Sequence, residues 1–183
     1  MSKFTWILDN GHGLETKKKE SVVWDNNTQL KEYEFNRGVV KYLSFMLRDA
    51  KIDYTILVPE INDISLSERV KRANKKNVDS IFISVHGNQY TDSRVHGFET
   101  HYYNAGKEYA EIFQKHIGQL GKDRGIKQSN FYVIKNTKMP AILTENGFYS
   151  NEKECAKMLT NDFQYEIAEA HFRGILEIEN NEI

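Results

Sequence analysis

The stretch Pro140-Ala141-Ile142-Leu143-Thr144-Glu145-Asn146-Gly147-Phe148 constrains the fold more than any other, because an apolar run after a proline delivers a carboxylate to its own end and then meets glycine. It reads as a buried strand with an acid at its tip. Two further runs follow the same pattern: Phe4 to Asp9 enters Gly11-His12-Gly13, and Ser80 to Val85 enters His86-Gly87-Asn88. Strands of this kind, separated by helical segments, predict an α/β chain with connections typical of a parallel sheet. Ligands of such sheets sit outside the carboxyl ends of the strands. The three ends therefore place two histidines and a glutamate on one edge.

The remaining segments support that edge. Leu14 to Gln29 is polar and lysine-rich without periodicity; a loop this long is either functional or a disordered excursion. From Leu30 the spacing of Phe35, Val39, Leu43 and Met46 predicts an amphipathic helix. At about 100° per residue Glu32 shares the sector of Phe35, Val39 and Leu43, whereas Glu34 falls with Arg37 and Lys41. Glu32 thus points inward, where an unpartnered carboxylate costs several kcal/mol, so capping or a cation must satisfy it. Asp53 to Val58 predicts a strand, and Ser65 with Glu68 a capping box opening a helix that runs to about Lys76. Val78 to Val85, Gly97 to Tyr103 and Phe131 to Ile134 predict strands; Lys107 to Leu120, Asn151 to Leu159 and Phe163 to Ile178 predict helices.

The 183 residues fit one domain, 1–183, with no repeat or linker. With 25 basic and 26 acidic residues the net charge is −1, which implies no general attraction to nucleic acid or to a membrane surface. Cys155, the one cysteine, excludes an intramolecular disulfide and is expected half-buried on a helix. The chain enters a strand pattern at once, without a signal segment or an apolar run of bilayer length. It is expected to be made in the cytoplasm without a signal peptide.

His12, His86 and Glu32 plus a water would make the four-coordinate nitrogen-and-oxygen set of a catalytic zinc site with one open position. The alternative is that both histidines are loop residues held by hydrogen bonds. Asn88 either orients a ligand or contacts substrate, or caps a turn. Arg69 and Glu68 read as a helix-surface or packing pair, and Lys17 to Lys19 as a solvated loop. Tyr90, Tyr102 and Tyr149 are open as sugar or peptide contacts, while His96, His101, His116 and His171 match no motif.

Leu8-Asp9-Asn10-Gly11-His12-Gly13, Glu32-Tyr33-Glu34-Phe35-Asn36, Ser65 to Val70 with Ala73-Asn74, Ser84-Val85-His86-Gly87-Asn88 and Pro140 to Asn151 occur in one order along nearly the whole chain. Together they resemble the zinc-dependent N-acetylmuramoyl-L-alanine amidase family (amidase type 3). The resemblance implies a twisted, mostly parallel six-stranded sheet with helices on both faces, Zn2+ held by His12, Glu32 and His86, and Glu145 as the catalytic acid. It implies cleavage of the amide between the muramic acid lactyl group and the L-alanine of peptidoglycan, with Glu145 taking a proton from the attacking water. Asn10 stands where the family usually has proline, Gly87 where alanine is usual, and Tyr33-Glu34 where a lysine-led pair is usual; the helical projection independently favours Glu32 over Glu34. Alternatives are a zinc peptidase on another wall bond and an inactive wall-binding module. A catalytic domain of this kind also resembles phage or prophage lysins, which implies release to the wall through a holin-type lesion.

Overall fold

A computed structural model describes residues 2–24, 27–76 and 79–180. Val78, expected to open a strand, and part of the Leu14 to Gln29 loop lie outside the described residues. The elements in order are β1 (Thr5–Asn10), α1 (Glu32–Asp49), β2 (Tyr54–Ile56), α2 (Leu66–Ala73), β3 (Ser80–Asn88), β4 (Phe98–Tyr102), α3 (Lys107–Ile117), β5 (Asp123–Gln128), α4 (Tyr132–Asn136), β6 (Ala141–Phe148), α5 (Glu152–Met158) and α6 (Asn161–Asn180). They form one six-stranded sheet of order β2-β1-β3-β6-β4-β5. The first four strands are mutually parallel; β4 runs antiparallel to β6, and β5 parallel to β4.

Strand alternation sorts side chains to two cores. Trp6 and Leu8, Ile81, Ile83 and Val85, and Ile142 pack with α1, α3, α5 and α6 on one face. Ile7, Phe82, Ala141 and Leu143 pack with Val70 and Ala73 of α2 and Val133 and Ile134 of α4 on the other. Central strands read as continuous apolar runs because both faces are covered. Helix α2 opens as its sequence requires, with the Ser65 hydroxyl accepting from the Glu68 N–H at 3.2 Å. Among the described residues no helix is long and apolar enough to cross a membrane.

Three expectations change. Phe131 to Ile134 does not form a strand: Tyr132–Asn136 is a short helix. Its consecutive Val133 and Ile134 are both buried in the second core, which strand alternation would have split across two faces. The sixth strand is instead Asp123–Gln128, whose sequence carries little apolar signal because it pairs on one side only, at the sheet edge. Cys155 is fully buried, not half-buried, and its sulfur lies 3.1 Å from Trp24 Nε1.

Candidate metal centre and hydrolytic cleft

β1, β3 and β6 are neighbours, so their carboxyl-terminal residues meet. Counting in twos from Ile7, Phe82 and Leu143 puts Asp9, Ser84, His86 and Glu145 on the α2 face. His86 and Glu145 are register partners, and pairing of β3 with β6 continues past them to Asn88 and Phe148. The histidine and the acid thus lie inside the last strand turns, with a register irregularity between His86 and Asn88, and not beyond the strand tips.

His12 follows β1 with φ 65, a left-handed conformation unusual for a residue with Cβ. Its carbonyl accepts hydrogen bonds from Arg37 of α1 and Arg69 of α2, both at 3.1 Å, which hold that turn from two sides. Gly11 is required beside it, since a Cβ there would lie 2.0 Å from the His86 ring. Glu32, first residue of α1, is completely buried while Glu34 is exposed, as the projection predicts.

The Glu32 carboxylate joins the two histidines. One oxygen lies 2.9 Å from His86 Nδ1 and 3.2 Å from His12 Nε2; the other accepts from the Tyr149 hydroxyl at 3.1 Å and lies 3.4 Å from Lys19 Nζ. The three residues offer ligand atoms within 4.8 Å of one another. Buried His12 Nε2 has no aligned hydrogen-bond partner despite its nearness to Glu32, and neither has buried Glu145 Oε2. Buried polar atoms are normally satisfied. A nitrogen left with a free lone pair beside a second imidazole and a carboxylate suits a divalent cation of borderline softness such as zinc.

Behind His86 runs a buried chain. Ser84 Oγ donates to Asp9 at 2.6 Å, so it accepts from His86 Nε2 at 3.1 Å, which leaves Nδ1 as the nitrogen facing Glu32. Asp9 in turn receives Arg69 Nη1. Arg69 is buried, and its guanidinium also donates to the carbonyls of Ile64, Asn10 and His12. It is therefore neither a surface residue nor a partner of Glu68; it fixes the His12 turn directly and His86 through Asp9 and Ser84.

Charge follows from these contacts. Burial alone would push the Glu32 carboxyl up, but the two imidazoles of His12 and His86 beside it outweigh this and hold it well below the usual range. Burial pulls both imidazoles down; for His86 the carboxylates of Glu32, Glu145 and Asp9 reverse this and raise it, whereas His12 stays lowered. Burial pushes Glu145 up to about 8, opposed by His86 and reinforced by Glu32 and Glu99. A cleft of about 440 Å³ opens over these groups, with His12, Lys19, His86, Phe131 and Glu145 in its lining.

Of the residues read from sequence, His12, Glu32, His86 and Glu145 converge. Asn88 does not join them: its side chain donates to Glu99 at 3.2 Å and accepts from the Gln89 N–H at 2.8 Å. Asp9, Lys19 and Ser84 belong to the site and were not read from the sequence as part of it; Tyr149, open in the sequence as a sugar or peptide contact, instead donates to Glu32. Period-two counting back from His86 would have found Ser84; nothing local marks Lys19, which arrives from a distant segment.

Two imidazoles, a shared carboxylate and a separate carboxyl of raised proton affinity, all at the open end of a parallel sheet, define a hydrolase-type centre. The chain belongs to the family described as N-acetylmuramoyl-L-alanine amidase, whose model matches residues 7–177. It is 34% identical to a protein of Bacillus phage SPP1 named endolysin, across 98% of this chain and 67% of that protein. It is 33% identical to the N-acetylmuramoyl-L-alanine amidase LytC of Bacillus subtilis, across 93% of this chain but only 34% of LytC. The crystal structure of an N-acetylmuramoyl-L-alanine amidase from Clostridium difficile 630 matches with a TM-score of 0.90 and 30% identity, covering 100% of both chains.

Proposed function

We propose that the chain hydrolyses the amide bond between the lactyl group of N-acetylmuramic acid and the L-alanine of peptidoglycan stem peptides, as a zinc enzyme. The observation that supports this reading most is the convergence of His12, Glu32 and His86 beside Glu145 in one cleft, in a chain of the amidase family. In the proposed site His12, Glu32 and His86 hold the metal, and residues 1–183 act as one catalytic unit. The ion, when bound, supplies Lewis-acid polarisation of the scissile carbonyl and acidifies water.

Glu145 is the group suited to move the proton. A carboxyl pushed up to about 8 has a proton affinity close to neutral pH, where general acid–base transfer is most effective. It takes a proton from the attacking water and returns it to the leaving amine. Such a group contributes about 3 to 5 kcal/mol, against the roughly 8 to 23 kcal/mol by which enzymes lower barriers, so Glu145 alone does not account for amide hydrolysis. Glu32 keeps its charge through the two imidazoles, and Ser84 and Asp9 hold His86 in one tautomer. The likeness to a phage endolysin supports action at the wall after release through a holin-type lesion.

Digestion of purified peptidoglycan followed by labelling of new amino ends tests the reading. Alanine at the new ends is the expected result. Another residue would make the enzyme a peptidase, and wall binding without any new ends would make it a binding module.

A further inference from the structure

Next to Glu145 the sheet carries a second group of charges that the hydrolytic step does not use. Glu99 of β4 is the antiparallel register partner of Glu145, so the two carboxyls share the cleft face. Glu99 is buried, and Asn88 and His101 donate to one of its oxygens at 3.2 and 3.1 Å. Its other oxygen receives both Arg124 Nε, at 2.7 Å, and Lys127 Nζ, from β5. Two cations thus meet one carboxylate. The other nearby acid, Asp123, is committed elsewhere, to Gln114 of α3 and the Gly125 N–H.

The backbone is adapted to this arrangement. Residues three apart on a regular strand point to opposite faces, yet Arg124 and Lys127 reach the same oxygen. Between Phe98 paired with Asp123 and Thr100 paired with Ile126, two steps along β4 face three along β5. The extra residue is accommodated at Gly125, with φ +73; a Cβ there would meet nothing, so conformation and not space calls for glycine. Bulges of this kind re-aim side chains at sheet edges. Both cations remain partly open to solvent. His101, bonded to Glu99, meets at 4.9 Å the ring of Phe131, which lines the hydrolytic cleft.

We infer that Arg124 and Lys127 form a carboxylate-binding subsite for the peptide on the amine side of the scissile bond. The inference rests on the amidase reading above. On the acyl side the lactyl ether and its amino sugar carry no ionised group, whereas the stem peptide carries free carboxylates. An anion site on β5 therefore orients the substrate, with the peptide crossing β6, β4 and β5 and the sugar lying toward β1. The scale fits. A carboxylate on the second peptide residue lies roughly 7 Å from the scissile carbonyl, at about 3.5 Å per extended residue. Two inter-strand spacings from β6 to β5 are about 9.5 Å, and the cations lean back toward β4 to reach Glu99.

The test uses the zinc-loaded enzyme and two disaccharide-tetrapeptides that differ only in the second residue, whose α-carboxyl is free in one and amidated in the other. The native protein is expected to favour the free carboxyl about tenfold in kcat/KM, the scale of one charge-assisted hydrogen bond. Lys127→Met, which leaves Arg124 to hold Glu99, brings the ratio toward one, and Lys127→Arg restores it. Because the readout is a ratio within one preparation, partial misfolding cancels. Equal rates on both substrates, or a ratio unmoved by Lys127→Met, overturn the subsite alone. Failure to release alanine-ended peptide from either substrate overturns the amidase reading and the subsite with it.

Discussion

Thr144 and Glu145 are consecutive on β6, face opposite sides of the sheet, and are each matched with a histidine that the protein treats in opposite ways. His171 of α6 lies 2.9 Å from the Thr144 hydroxyl and donates through Nδ1 to the Ile167 carbonyl at 2.8 Å. No carboxylate offsets its burial, which pushes it down to about 4. His86, register partner of Glu145, is half-buried among Glu32, Glu145 and Asp9 and is raised instead. Desolvation acts on both. The difference is the charge gathered around one of them, and that gathering distinguishes a site from a core.

The largest effect expected from this contrast is at Glu145. Glu145→Gln keeps the shape and removes the proposed proton carrier, so turnover is expected to fall about a hundred- to ten-thousand-fold while metal content stays that of the native protein. Steady-state rates on solubilised wall beside metal analysis check both halves; near-native activity would remove Glu145 from the chemistry.

His171 sets the next effect, on stability and not on catalysis. Its folded pKa of about 4 lies below the unfolded value of about 6.5, so between these pH values the unfolded chain binds a proton that the folded one does not. Stability is therefore intact above about 6.5 and is lost as pH falls toward 4, by about 3 kcal/mol in all. Urea unfolding across that window measures the slope, and His171→Phe flattens it; an unchanged slope in the variant would contradict the assignment.

A smaller effect belongs to the chain behind His86. Ser84→Ala frees Nε2 and strips Asp9 of a donor, and metal affinity falls about 10- to 100-fold. Competition titration with a chelator measures it, and native affinity in Ser84→Ala would mean that the tautomer is fixed by other contacts.

The same contrast explains what the sequence made legible. β1, β3 and β6 carry uninterrupted apolar runs because both their faces are covered, and their glycine-flanked polar ends pointed to His12, His86 and Glu145. Glu32 was legible because helical periodicity separates it from Glu34 by side. β5 was not, since an edge strand with one half-buried isoleucine, Ile126, has no pattern to read, and α4 was misread because its aromatic and β-branched residues favour strands where packing demanded a helix. Arg69 and Lys19 escaped for another reason: their carboxylate partners at the site are far away in the chain, and an arginine on a short helix looks solvated until its five N–H groups are traced.

The account depends most on one cation held by His12, Glu32 and His86. Dialysis of the purified protein against zinc, followed by metal analysis, measures this directly. One zinc per chain is predicted for the native protein and for Glu145→Gln, with stoichiometric binding lost in Glu32→Gln and His86→Ala. Native protein that takes up no zinc, or His86→Ala that still binds one per chain, would contradict it.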